Sequence, residues 1–344
     1  MKRSSILLIY TGGTIGMKQD PEDLTLKPFD FGQILEEVPE LKKYTFRIDS
    51  YTFDPLIDSS DVEPSLWKEL ATLIKERYEE YDGFVVLHGT DTMAYSASAL
   101  SFMLENLAKP VVFTGSQLPI GVARTDGKEN LISSVEIASA KDAGGHPLVP
   151  EVSIFFNSKL LRGNRSTKVS SEDFSAFRSP NYPVLAEAGI SIRYNQAAIR
   201  KPLDWEAPLR ISTELDTSVS ILKVHPGITP QVMRYFMCGD ATRAVIIETY
   251  GSGNAPSKQW FLDIVEEAAR MGKVLMNVTQ CMSGTVNMDI YATGKALERA
   301  GVVSGRDITT EGALAKLFYL LGKSPDNDWV KSRLGEDIVG EISI

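Results

Sequence analysis

Short, continuously apolar runs alternate with longer stretches of helical period. The runs are "SILLIY" (5–10), "DGFVVLHG" (82–89), "PVVFTGS" (110–116) and "EVSIFFN" (151–157). They are apolar throughout instead of alternating, which predicts strands buried on both faces. Between them, "EPSLWKELATLIKERYEEY" opens with Pro64 at a helix start and carries Leu66, Leu70, Leu73, Ile74 and Tyr78 on one face. "DTMAYSASALSFMLENL" places Met93, Ala97, Leu100, Leu104 and Leu107 together, with Asp91 or Thr92 as its cap. Strand–helix–strand alternation predicts a parallel sheet with helices on both faces.

The pattern fades across 193–218, which is polar, contains two prolines and has no period, and reads as a linker. A second alternating unit follows, with strands "SVSILKVH" (218–225), "RAVIIETYG" (243–251) and "GKVLMNVT" (272–279). Helical patterns run near 230–238, 257–271 and 310–322. The expected organisation is a larger N-terminal catalytic α/β domain (1–192), a linker (193–218) and a smaller C-terminal α/β domain (219–344). A chain of 344 residues fits two cores better than one.

Charge and composition narrow the function. With 36 Lys and Arg against 45 Asp and Glu, the net charge is −9. No basic cluster stands out, which argues against nucleic acid or an anionic membrane as partner. Only Cys238 and Cys281 occur, too few for a disulfide framework, so a reducing, cytoplasmic setting is expected. The apolar run after Met1 is shorter than a signal-peptide core, and no run approaches the length of a membrane span.

In open α/β sheets, sites lie beyond the carboxyl ends of the strands. The loops expected there begin "TGGTIG", "HGTDTM", "TGSQLP" and, in the second unit, "YGSGNAP". Phosphate cradling fits poorly. Thr11 stands where a dinucleotide fingerprint needs its first glycine, and Pro21 and Pro28 break the region where a helix would follow. "GVARTDGKEN" carries Glu129 where a P-loop needs Ser or Thr. His88, His146 and His225 lack metal-ligand spacing; His88, ending an apolar strand, reads as a hydrogen-bonded structural histidine. What remains is a pair of hydroxyls, Thr14 and Thr90, on glycine-flanked turns, with Asp91 beside the second. A threonine hydroxyl becomes nucleophilic when a base takes its proton, and glycine turns leave N–H groups free for an oxyanion. Taken singly, such a threonine is a cap or turn residue more often than a nucleophile; the pair on one rim, with an acid beside one of them, is the stronger signal.

"YTGGTIG" together with "DGFVVLHGTDTMAYSASALSFMLENL" resembles the bacterial-type L-asparaginase family, in its cytoplasmic type I branch. The similarity continues through "KPVVFTGSQLP", "LLRGNRSTK", "YGSGNAP" and "TQCMSGTVNMDIYATG". The resemblance implies a two-domain α/β fold and hydrolysis of L-asparagine to L-aspartate and ammonia through a threonine nucleophile and a covalent acyl-enzyme, without cofactor or metal. It makes Thr14 the nucleophile and Thr90, Asp91 and Lys168 a hydroxyl–acid–lysine relay. Without the resemblance, Lys168 reads as a surface lysine in a polar hairpin. Gly89 and Thr90 are expected to supply oxyanion donors. Asp58, Ser59 and Ser60 are expected to hold the amino-acid end of the substrate, with Asp91 on its ammonium. The bland reading of "DSSD" is a cap. Ser116 and Gln117 are expected on the same rim, and Asn254 in a neighbouring subunit's site, since members form dimers or dimer-of-dimers tetramers.

Two departures change what the resemblance implies. The mobile loop of family members carries a tyrosine about ten residues past the nucleophile; here Leu24 and Thr25 stand in that stretch, leaving activation of Thr14 to Lys168, Thr90 or water. Thr279, Gln280 and Cys281 match an effector region, but Glu248 stands where an arginine would grip a carboxylate, so weak or absent activation by asparagine is expected. An ammonia-producing subunit of a tRNA-dependent amidotransferase shares this core; that role usually needs an extra N-terminal domain and a partner, and a first strand expected within five residues of Met1 argues against it. From another class, an amino-acid sensor would bind without releasing ammonia.

Overall fold

The structure is a computed structural model and describes residues 4–19, 26–28 and 34–344; Leu24 and Thr25 lie outside the described residues. The chain divides into two compact units, 1–211 and 212–344.

The first unit is built on an eight-stranded sheet. Its strands are β1 (Ser5–Tyr10), β2 (Arg47–Thr52), β3 (Gly83–Leu87), β4 (Val111–Thr114), β5 (Val152–Phe156), β6 (Lys159–Arg162), β7 (Ala186–Ala188) and β8 (Ile192–Tyr194), in the order β8-β7-β6-β5-β4-β3-β1-β2. The strands from β2 to β5 in that order pair in parallel. The apolar runs at 5–10, 83–87, 111–114 and 152–156 are interior strands with both faces covered. The edge strand β2, "RIDSYT", is partly exposed along its whole length, so apolar periodicity carried no trace of it.

The remaining strands, β6 to β8, are antiparallel, an addition to the expected parallel sheet. The reversal comes from the two-residue turn Asn157–Ser158, with φ of 47° and 64°, the left-handed pair that joins hairpin strands. Polar residues past 193 are tied to this unit. Arg210–Ile211 pairs with Leu104–Glu105. Arg162 Nη2 donates to Ala198 O at 2.8 Å, and the Arg200 N–H donates to Glu151 at 2.9 Å.

Three helices cover the sheet: α1 (Pro64–Glu76), α2 (Met93–Met103) and α3 (Gly127–Ser139). Leu131, Val135 and Ile137 of α3 share a core with Ile6, Leu8, Val85 and Val112. The order of strands reverses at β1: the chain crosses to β2 on one side and then to β3 on the other. A crevice therefore opens beyond the carboxyl ends of β1 and β3. Tyr10 registers with Leu87, and Leu87 with Thr114, so the loops after β1, β3 and β4 leave the sheet at one level.

The second unit has a parallel sheet in sequential order, β9 (Val219–Lys223), β10 (Ala244–Thr249), β11 (Val274–Thr279) and β12 (Val302–Ser304). Alternate residues feed two cores. Val245, Ile247 and Leu275 meet Met233, Phe261 and Leu297 on one face; Ile246, Met276 and Val278 meet Ala313, Leu317 and Val330 on the other. Lys316 and Glu341 form a wholly buried ion pair at 2.6 Å, which anchors the C-terminal segment beneath helix Thr310–Lys323. Among the described residues no helix is long and apolar enough to cross a membrane.

Candidate active site

The turn after β1 follows from its glycines. Thr11 closes the strand by donating both its N–H and its hydroxyl to Leu87 O, each at 3.0 Å. Gly12 and Gly13 then take φ of 136° and 92°, and Thr14–Gly16 form a single 3-10 turn. A Cβ on Gly13 would lie 2.5 Å from the Gly89 nitrogen, and one on Gly89 would lie 2.5 Å from Ser59 Oγ. The turns carrying Thr14 and Thr90 thus meet backbone to backbone, the Ser59 side chain packs directly on Gly89, and only glycine permits these approaches.

These loops enclose a cavity of about 320 Å³ lined by Thr14, Asp58, Ser59, Gly89, Thr90 and Asp91. Tyr10, Gly12, Gly13, Met17, Leu56 and Ile57 complete the lining. Thr14 and Thr90 therefore open into the same space. Lys168 contacts the cavity wall: its Nζ donates to Thr90 Oγ1 at 2.8 Å and to Asp91 Oδ1 at 2.6 Å. Its side chain is 18% exposed, against 62% for Asp91, so this is no free surface lysine. A two-stranded ribbon, Thr167–Lys168 with Phe177–Arg178, carries it, and Phe177 is buried against Phe156.

The Asp58 loop is held from both sides. Asp58 Oδ1 accepts from the Ser60 N–H and from the Ser60 hydroxyl, both at 2.9 Å. Those bonds, the backbone one first, hold its carboxyl below the usual range. Asp58 is thus both a cap and a cavity residue. Ser60 itself is turned to Asp58 and does not line the cavity. Ser59 Oγ accepts from the Asp91 N–H at 3.4 Å, and the Thr92 hydroxyl donates to Ser59 O at 2.6 Å, joining this loop to the start of α2.

Two other expected residues of the first unit, Ser116 and Gln117, do not line the cavity. Ser116 is buried but is not part of the lining. The Gln117 N–H donates to Asp126 at 3.0 Å and its side-chain amide to Asp173 O at 3.2 Å. In the second unit, Asn254 Oδ1 accepts from the Ala255 N–H and from the Thr293 hydroxyl. There Gln280 donates to Val224 O and Glu248 O at 2.6 and 2.7 Å, and Cys281 N–H donates to Thr279 Oγ1 at 3.0 Å. Glu248 accepts from Thr310 at 2.7 Å and pairs with Lys223 at 3.5 Å.

Two buried aromatic residues frame the site. His88 is hydrogen-bonded at both ring nitrogens, to Gly89 O at 2.7 Å and Ser96 Oγ at 3.0 Å, as its place at a strand end suggested. Burial pulls its pKa down to about 4. Tyr10, quoted in the opening motif but given no role there, lines the cavity; its phenol donates to Gly13 O at 3.3 Å. Burial pushes that phenol up to about 12, so it stays a donor at neutral pH. The available signal was a bulky hydroxyl-bearing side chain at the last position of an otherwise aliphatic strand. Among the described residues no group of three or more His, Cys, Asp or Glu could hold a metal ion.

Sequence and structural relatives of the whole chain identify its family. The family model described as "Asparaginase, N-terminal" matches residues 5–200, and "Glutaminase/Asparaginase C-terminal domain" matches 218–333. L-asparaginase 1 of Escherichia coli K12 is 43% identical over 346 aligned positions, covering 100% of this chain and 99% of that protein. A 60 kDa lysophospholipase of Mus musculus is 40% identical over 98% of this chain but only 62% of its own length. Among solved structures, L-asparaginase I from Vibrio cholerae superposes with a TM-score of 0.88 at 39% identity, each chain covered in full. Two matched domains, end-to-end alignment and a shared fold place this chain in the asparaginase family.

Proposed function

We infer that this chain is an L-asparaginase, hydrolysing L-asparagine to L-aspartate and ammonia through Thr14. One observation carries the reading: Thr14 and Thr90 face a single cavity, with Lys168 bonded to both Thr90 and Asp91. The Thr14 oxygen bonds to the side-chain amide carbon as the C–N bond breaks, and its proton leaves with the nitrogen as ammonia. Water then cleaves the acyl ester and restores the Thr14 hydroxyl. The new carboxylic acid ionises, and ammonia takes up that proton.

Each neighbour has a part in these steps. Thr90 Oγ1 accepts from Lys168, so its own proton is free to turn toward the attacking water or the departing nitrogen, with Lys168 as the next member of the relay. Ser59 Oγ accepts from Asp91 N–H, which frees its proton for the substrate α-carboxylate. Asp58 and Asp91 place two carboxylates for the substrate ammonium. N–H groups at Gly89 and Thr90 take the developing oxyanion. The reading includes a cytoplasmic homodimer or dimer of dimers, with Asn254 reaching a neighbouring subunit's site.

Ammonia release in a coupled assay with asparagine tests the activity, and its absence would overturn it. Thr14→Ala and Lys168→Met are each expected to lower kcat by about 10³-fold or more while folding survives. A substantially active Thr14→Ala enzyme would refute the nucleophile.

A further inference from the structure

We propose that His88 is a positioning residue: a neutral imidazole, protonated on Nδ1, that ends the buried chain Trp67–Ser96–His88 and fixes the Gly89 carbonyl so that the Thr90 N–H is aimed into the cavity. The proposal rests on the reading of this cavity as a hydrolytic site.

Hydrogen counting determines the tautomer. The indole N–H of Trp67 can only donate, and it does so to Ser96 Oγ at 2.9 Å. Gly89 O can only accept, and it lies 2.7 Å from His88 Nδ1. A proton on Nδ1 makes that contact a hydrogen bond; without one, two lone pairs would face each other. The Ser96 hydroxyl then donates to Nε2 at 3.0 Å. Every member of the chain is satisfied in this one arrangement. His88, Ser96 and Trp67 are 1%, 0% and 5% exposed, so water does not compete for the contacts. Burial also opposes a second proton on the ring.

The consequence for the site follows from peptide planarity. In a trans peptide the carbonyl of Gly89 and the N–H of Thr90 point in opposite directions. His88 draws the carbonyl toward the interior, and the Thr90 N–H consequently faces outward at a residue that lines the cavity. Among the described residues no protein oxygen accepts from that N–H. The Gly89 backbone also lies against Gly13, so a shift of this peptide would reach the Thr14 turn. One hydrogen bond thereby orients an oxyanion donor and supports the nucleophile loop.

Three histidines in the chain make the tautomer readable. In the full-length enzyme labelled with 15N-histidine, two-bond proton–nitrogen spectra should show one ring in the Nδ1–H form that does not change between about pH 5.5 and 8 and vanishes in His88→Asn. An Nε2–H pattern for that ring, or titration near the ordinary histidine range, would overturn the proposal. This readout stands even if the wild type releases no ammonia, in which case the failure belongs to the functional reading. Asparagine's amide nitrogen can occupy the Nδ1 position, whereas glutamine's reaches the Nε2 position. His88→Asn should keep kcat within about 3-fold, while His88→Gln should lose roughly 10–100-fold in kcat with KM little changed. Ser96→Ala, which removes the donor to Nε2, should give a mixed tautomer. Equal kcat losses in the Asn and Gln variants at equal folded fraction would reduce His88 to a packing residue.

Discussion

Replacing Gly13 with alanine tests the convergence of the turns that carry Thr14 and Thr90. The new Cβ would lie 2.5 Å from the Gly89 nitrogen and 2.6 Å from its Cα. Ordinary contact begins near 3.4 Å, so the Thr14 and Thr90 turns must part by about 0.9 Å, the difference of 3.4 and 2.5. Both contacts are backbone, and no flexible side chain can give way. Misplacing reacting groups by ~1 Å costs on the order of 10²-fold in rate. The backbone at φ 92° and ψ 170° adds strain of roughly 1–3 kcal/mol for a residue with a Cβ. Gly145→Ala is the matched control: its φ is 86°, but nothing lies within 4 Å of the added Cβ. Thermal unfolding and coupled ammonia release should be measured on both variants. The control is expected to lose about 1 kcal/mol of stability and keep its kcat. Gly13→Ala should lose about 10²-fold in kcat beyond any loss of folded protein. A Gly13→Ala enzyme with wild-type kcat would refute the claim that these turns must touch to place the two threonines.

The pH dependence of stability should carry a signature of His88. Burial lowers its folded pKa to about 4 from 6.5, so the unfolded chain binds a proton between those values while the folded one does not. Stability is therefore fully present above 6.5 and falls as pH drops toward 4, by about 3 kcal/mol from this group. Urea midpoints at pH 7 and 4.5 should show a gap that shrinks in His88→Asn; an unchanged gap would contradict the assignment. Lys316→Met leaves Glu341 charged in a wholly buried site and should cost ~3–5 kcal/mol, with much of it recovered in Lys316→Met/Glu341→Leu. A single-variant loss below about 1 kcal/mol in urea titration would show that the pair is dispensable. Velocity against asparagine is expected to be hyperbolic, because Glu248 presents a carboxylate beside the Gln280 loop where an effector carboxylate would need a cation; a sigmoidal curve from the unmodified enzyme would count against this.

Much of the architecture was legible because burial leaves a one-dimensional trace. Strands covered on both faces, such as 83–87, must be apolar throughout, and helix Pro64–Glu76 must repeat its apolar face. Where one face meets water the trace fails. The edge strand "RIDSYT" and the short antiparallel strands past Asn157 carry mixed residues, and their pairing is decided by turns and neighbours. Sites followed the same division. Thr14, Thr90 and Asp91 stood out on glycine turns, and the resemblance added Lys168. Nothing local distinguished Ser59, which lines the cavity, from Ser60, which bonds to Asp58. That difference is one of side-chain direction in a single turn.

By itself, then, the sequence determined the strands buried on both faces and the amphipathic helices, that two α/β units exist, and which hydroxyls sit on glycine bends. These are local consequences of hydrophobic period and backbone freedom. Only the tertiary structure decided that Thr14 and Thr90 share one cavity, that Lys168 reaches Thr90 and Asp91 from 78 and 77 residues away, and that His88 holds the Gly89 carbonyl. Such contacts depend on strand order and on close approach between glycine backbones, and both arise only when distant segments pack against one another.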